Sequence, residues 1–186
     1  MSPPRTVAVL VGSLRKESFT RKTAKALATL APADLKLEIV EIGGLPFYNE
    51  DDEPSPPAAW TAFRQQVRSA DAVLFATPEY NRGLPAALKN AVDVGSRPYG
   101  SSVFDGKPAA VISVSPGAIG GFGANHQLRQ SLVFLNMPAL QQPEAYLGAA
   151  GGLFDEQGLL VDESARGFLS KFISAFDAWI KVHSPR

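Results

Sequence analysis

Short apolar runs, each ending in a polar or glycine turn, alternate along this chain with stretches of helical spacing, and that rhythm narrows the possible folds to very few. Thr6-Val7-Ala8-Val9-Leu10-Val11 is the first run; it is too short for a helix and suits a strand buried on both faces. Asp71 to Thr77 and Lys107 to Val114 read the same way, and Met137 to Leu140 reads as a short fifth strand. Leu35-Lys36-Leu37-Glu38-Ile39-Val40 alternates apolar and polar, as a strand nearer a sheet edge does. Between these lie helical patterns: Phe19, Ala26, Leu27 and Leu30 from Ser18 onward; Trp60, Phe63, Val67 and Ala70; Leu84, Leu88 and Val92; Leu128, Leu132 and Leu135. From about Asp162 a last helix sets Phe168, Phe172, Phe176 and Trp179 on one stripe. Strands separated by helices imply a parallel, doubly wound sheet with right-handed crossovers. Periodicity alone leaves the strand order open.

A chain of 186 residues, 45% of them hydrophobic, can close the core of one domain spanning residues 1–186. Its 18 basic and 18 acidic side chains cancel, which leaves no electrostatic footprint for nucleic acid or an anionic membrane and favours a small-molecule ligand. There are no cysteines, so disulfides, thiolate metal sites, iron–sulfur ligation and a cysteine nucleophile are excluded. The segment Met1-Ser2-Pro3-Pro4-Arg5 enters an apolar strand without the features of a signal peptide, so a cytoplasmic location is expected, with no membrane partner. Residues 46–57 hold four acidic side chains and four prolines, a composition that predicts a mobile surface loop.

In open parallel sheets ligands sit beyond the carboxyl ends of the strands. After the first strand comes Gly12-Ser13-Leu14-Arg15-Lys16-Glu17-Ser18-Phe19-Thr20, with hydroxyls and a guanidinium at the start of a helix. Free helix N–H groups, the macrodipole, donating hydroxyls and an Arg fork all suit a phosphate, while Ser18 could equally be a plain helix cap. The chain has neither a Walker loop nor Gly-x-Gly-x-x-Gly after the first strand, which counts against triphosphate and dinucleotide sites there. A monophosphate cofactor at such a switch point suggests FMN. Pro78-Glu79-Tyr80-Asn81 offers backbone amides and an aromatic surface to a flavin ring, or else a rigid turn with a solvent-facing Glu. Ser115-Pro116-Gly117-Ala118-Ile119-Gly120-Gly121 is the third turn, whose glycines permit close approach to a planar ring. Turns after the first, third and fourth strands are expected to converge on one crevice.

These segments, together with Leu88-Lys89-Asn90-Ala91-Val92-Asp93 and Gly106-Lys107-Pro108, resemble the NADPH-dependent FMN reductases, most closely the bacterial quinone, azo-dye and chromate reductase branch. The resemblance implies a flavodoxin-like three-layer sandwich with strand order 2-1-3-4-5. It implies that Ser13, Arg15, Ser18, Phe19 and Thr20 hold the FMN phosphate, and that Pro78, Glu79, Tyr80 and Asn81, with Ser115, Pro116 and Gly117, line the ring. Arg82 and Gly120 become substrate-binding candidates, Arg82 being either a contact for the NADPH phosphate or an ordinary surface cation. Thr20 stands where relatives often carry Asn, and Arg82-Gly83-Leu84-Pro85-Ala86 departs from the commoner small-residue pattern.

The expected activity is ping-pong electron transfer from NADPH or NADH through FMN to a small acceptor: a quinone, azo dye, chromate or free flavin. The chemistry rests on the flavin, so no catalytic side chain and no metal is assigned. His126 and His183 are expected at the surface. The segment from Gly123 to Leu135 and Glu144 resembles the family's subunit contact, implying a homodimer or homotetramer. The rival is a flavodoxin-like electron carrier without reductase turnover, which would need a charged docking face that this neutral composition does not supply.

Overall fold

A computed structural model describes residues 3–184; Met1 and Ser2, at the head of the N-terminal segment, lie outside them. The strands are β1 (Arg5–Val11), β2 (Leu35–Val40), β3 (Ala72–Thr77), β4 (Ala109–Val114) and β5 (Ala145–Leu147). The α-helices are α1 (Phe19–Leu30), α2 (Ala58–Ser69), α3 (Ala86–Gly95), α4 (Phe122–Phe134) and α5 (Glu163–His183). All strand pairs are parallel and the order is β2-β1-β3-β4-β5, as the resemblance implied.

Alternation along β1 assigns the layers. Val7, Val9 and Val11 face a core closed by α1 and α5, whereas Ala8 and Leu10 face one closed by α2, α3 and α4. Every residue of β3 and β4 is buried, which explains why their sequences show no polar face. On α5 the buried stripe runs Leu169, Phe172, Ile173, Phe176 and Ile180, with Phe168 and Trp179 at its partly buried margin. Ser18 and Asp162 cap α1 and α5, accepting from Arg21 N at 3.1 Å and Ala165 N at 2.7 Å. No helix among the described residues is long and apolar enough to cross a membrane.

Three expectations need correction. The fifth strand is Ala145–Leu147, not Met137 to Leu140. The earlier segment starts beside β4, with a single bridge from Ala139 to Ala109, but the next pairing is Ala145 with Ile112. Six residues thus run against three, and Pro138 and Pro143 lack the N–H groups a continuous ladder requires. Leu84 precedes α3 rather than belonging to it, because Pro85 stands at the N-cap. The 46–57 loop is anchored: Asn90 accepts from Tyr48 N at 2.8 Å and donates to Pro46 O at 3.0 Å, and Trp60 Nε1 also donates to Pro46 O at 3.0 Å. Arg64, buried against Trp60, reaches Glu53 at 2.7 Å and Val94 O at 2.9 Å.

Candidate functional site: a crevice between three strand-end turns

Because β1, β3 and β4 are neighbours, the turns that follow them are neighbours too. The approach is close. A Cβ on Gly12 would lie 3.1 Å from Pro78 and 3.0 Å from Pro85, so a side chain there would press on the two prolines and move them by a few tenths of an ångström. On the other flank the Cβ position of Gly121 is 3.6 Å from Glu79.

The first turn has the chemistry of an anion site. Ser13 and Thr20 are 3% and 2% exposed, yet neither hydroxyl has a hydrogen-bond partner among the described residues. Neither oxygen is among the fully buried side-chain atoms that lack a partner, so both hydroxyls reach the surface and can donate to a ligand there. Ser18 spends an oxygen lone pair on capping Arg21 N but keeps its own O–H to donate, so the capping and binding readings are compatible. Thr20 and Phe19 begin the helix, where N–H groups lack intrahelical partners. The Phe19 ring is turned away, stacked on Phe154 at 6.4 Å, so only its backbone can serve an anion. Arg15 is exposed and unpaired among the described residues. The one acid of the turn, Glu17, is neutralised: Lys22 sits 2.9 Å away and holds its carboxyl below the usual range.

The turn after β3 is a tight hairpin. Tyr80 and Gly83 exchange hydrogen bonds of 3.1 and 3.0 Å, with Asn81 at φ 53° and Arg82 at φ 64° between them. Such a turn favours Asn or Asp followed by Gly at its central positions; Asn81 meets that preference, and Arg82 sets a guanidinium at the tip that is 75% exposed and 3.5 Å from the Glu79 carboxylate. Glu79 does not face solvent as one reading had it. Its side chain is 10% exposed and accepts from Ala124 N at 3.0 Å, completing the N-terminus of α4, whose cap residue Gly121 has no side chain. Gln127 likewise accepts from Leu84 N at 2.6 Å. Two polar residues thus bolt the hairpin to α4, leaving the Tyr80 ring 48% exposed above the crevice.

In the third turn Ser115 Oγ accepts from Gly117 N at 3.1 Å, and Ser115, Pro116 and Gly117 lie at the surface end of β4. Gly120 is buried under the turn, with φ 64° and its Cβ position 2.8 Å from the Tyr146 backbone, and its neighbour Ile119 is exposed. Tyr146 was not singled out in the sequence. Its hydroxyl lies 2.8 Å from His126 Nε2 and its ring packs on Phe122, and burial together with a hydrogen bond to Glu144 pushes the phenol up to about 12. His126 is half-buried with its ring 4.1 Å from that of Phe122, which follows the third turn, and His183 packs on Trp179 at the end of α5.

A cleft of about 730 Å³ also runs along the outer face of α1 to the 155–161 segment, past Lys16, Lys25 and Leu159. It shares Lys16, Glu17 and Ser18 with the first turn but nothing with the second or third. The candidate site is the crevice, because the unpartnered hydroxyls and the strand ends are there. No cluster of three or more metal-ligating side chains occurs among the described residues.

The sequence profile of the NADPH-dependent FMN reductases matches residues 5–152. The chain belongs to that family. It is therefore an oxidoreductase of the FMN- and NAD(P)H-using kind, and the phosphate-suited turn fits the cofactor. A quinone reductase of Pseudomonas putida is 62% identical over 184 residues, covering 98% of both chains. A 2-hydroxy-1,4-benzoquinone reductase of a Burkholderia species is 45% identical, covering 94% of this chain and 96% of its own. Among solved structures, FerB, a flavoenzyme NAD(P)H:(acceptor) oxidoreductase from Paracoccus denitrificans, superposes with a TM-score of 0.91 at 41% identity, covering 96% of this chain and 98% of its own.

Proposed function

We propose that this member of the family is an NAD(P)H-dependent quinone reductase working by a ping-pong scheme, with nicotinamide and acceptor visiting one crevice in turn. Azo dyes, chromate and free flavin are secondary acceptors of the same pocket. When bound, FMN supplies the two-electron relay between them. The single observation that carries the reading is the pair of hydroxyls of Ser13 and Thr20, set on largely buried residues of the turn that leads into α1 and without a protein partner among the described residues. With Ser18, Arg15 and the N–H groups of Phe19 and Thr20 they hold the phosphate. Pro78, Glu79, Tyr80 and Asn81 hold one side of the ring through their backbone, with the Tyr80 ring at its edge, and Ser115, Pro116 and Gly117 hold the other. N–H groups of these turns stabilise the negative charge that reduction leaves on the ring. Arg82, fixed at the hairpin tip, attracts the phosphates of NADPH.

The protein works in the cytoplasm, where NAD(P)H is available, as a homodimer or homotetramer joined through α4. Support for that contact comes from Val133 and Phe134, which are 81% and 73% exposed on that helix.

Stopped-flow absorbance separates this reading from an electron carrier. Anaerobic NADPH should bleach the bound flavin without acceptor, and a quinone added afterwards should restore the colour in one two-electron phase. Failure of NADPH to bleach it refutes the reductase reading.

A further inference from the structure

Four loops at the carboxyl edge of the sheet each expose a large apolar side chain. Phe47 follows β2 and is 78% exposed, Leu14 follows β1 at 55%, Tyr80 follows β3 at 48%, and Ile119 and Phe122 follow β4 at 56% and 47%. The strand order 2-1-3-4 sets these loops side by side along the carboxyl edge of the sheet, the three after β1, β3 and β4 being the turns of the candidate site. Single exposed apolar residues need no explanation, but a continuous set beside a binding site does.

Their exposure is imposed by the backbone. Pro46 and Tyr48, on either side of Phe47, are both bonded to Asn90, so the intervening ring is directed outward. Gly120 is wedged against Tyr146, which leaves its neighbour Ile119 at the surface. Leu14 lies over Gly43, its Cδ2 3.1 Å from the Cβ position there.

The two substrates make opposite demands on this rim. The nicotinamide coenzyme carries phosphates, for which Arg15, Lys16 and Arg82 are at hand, and apolar side chains offer that half nothing. An uncharged ring with hydrocarbon substituents is the partner that gains from covering them.

We propose, resting on the quinone reductase reading above, that the acceptor subsite selects uncharged quinones bearing alkyl or fused-aryl substituents over unsubstituted quinones and over oxyanions such as chromate, with Phe47 and Ile119 as the specificity-determining side chains. The overall step balances as NAD(P)H + H⁺ + quinone → NAD(P)⁺ + quinol: the quinone gains two electrons and two protons, and the nicotinamide loses a hydride.

The test uses flavin-loaded, oxidised protein, in which quinone binding is read from flavin fluorescence without turnover. Benzoquinone, a decyl-substituted benzoquinone and chromate are titrated against wild type, the Phe47→Ser/Ile119→Ser double variant and the remote control Val182→Ser. Wild type and control should bind the decyl compound about tenfold or more tightly than benzoquinone, and chromate more weakly than either. The double variant should retain less than half of that ratio. A wild-type ratio below threefold, tighter binding of chromate, or a ratio unchanged in the double variant overturns the proposal. So does a change of sedimentation behaviour in the double variant, since the row would then be a contact between copies of the chain. Bleaching of the flavin by NADPH is measured alongside: if it fails, the reductase reading falls, and if it succeeds without acceptor selectivity, only this inference falls.

Discussion

Thr20→Val distinguishes a ligand-directed hydroxyl from a structural one, because the two roles predict opposite signs. Thr20 occupies the second position of α1, is 2% exposed, and its hydroxyl bonds to nothing among the described residues. Replacing it by the nearly isosteric Val removes an unpartnered hydroxyl from a largely buried residue without opening a cavity. Helix propensities of Thr and Val are similar, so the cofactor-free protein should be unchanged or up to about 1 kcal/mol more stable. A hydrogen bond to the charged phosphate contributes about 1.5–3 kcal/mol. Its loss should weaken FMN binding roughly 10- to 150-fold. Chemical denaturation of the flavin-free protein gives the first quantity and fluorescence titration with FMN the second. Ser18→Ala is the contrast: its oxygen caps Arg21 N at 3.1 Å, so it should lose about 1 kcal/mol in the flavin-free protein as well as FMN affinity. Unchanged FMN affinity in Thr20→Val, or a clear loss of flavin-free stability, would refute the assignment of this turn to the phosphate.

Other expectations follow from single contacts. Glu53→Ala strands the buried Arg64 guanidinium, whose partner now lies at 2.7 Å, and should cost about 3–5 kcal/mol by urea denaturation; a loss below about 1 kcal/mol would mean solvent already reaches Arg64. Gly120→Ala forces a side chain into a position with φ 64° that lies 2.8 Å from the Tyr146 backbone. It should lower the melting temperature and loosen FMN together, whereas Gly44→Ala, with open space around it, should do neither. Tyr146 has its phenol raised from 10.0 to about 12. The raised value means that the fold favours the neutral phenol, so its stabilising contribution is complete below pH 10 and lost as pH rises through 12. Absorbance of tyrosinate should therefore show a late-ionising component that disappears in Tyr146→Phe, and a titration curve of unchanged shape in that variant would contradict it.

Where burial on both faces dictates composition, the fold was legible. β2 was bounded to the residue because its alternation is that of a half-covered edge strand, and β3 nearly so because it is apolar throughout. β5 was misplaced for a physical reason. Met137 to Leu140 is as apolar as a strand and begins as one, but pairing at the sheet edge is decided by which N–H groups are present, and the prolines interrupt it. The loop over residues 46–57 looked mobile because composition counts charges and prolines without their partners. Asn90 and Arg64, whose side chains hold it, lie more than ten residues away in sequence.

The crevice shows the same division between what strand ends announce and what long-range contacts decide. Ser13, Ser18 and Thr20 stand out in the sequence as candidates because hydroxyls crowded at a helix start are themselves a signal. Glu79 could not: a carboxylate in a turn is ordinarily solvated, and only the fold reveals that α4 begins at a glycine with no cap of its own. Its first turn therefore borrows a capping oxygen from the β3 turn, at 3.0 Å from Ala124 N. That borrowing has a mechanical consequence. One wall of the crevice, the Tyr80–Gly83 hairpin, is bonded to the same helix on which the opposite turn ends, so the two turns are held at a fixed spacing. Pre-organisation of this kind lowers the ordering cost of binding. It places the rigidity of the site in Glu79 and Gln127, residues that need not touch the cofactor with their side chains at all.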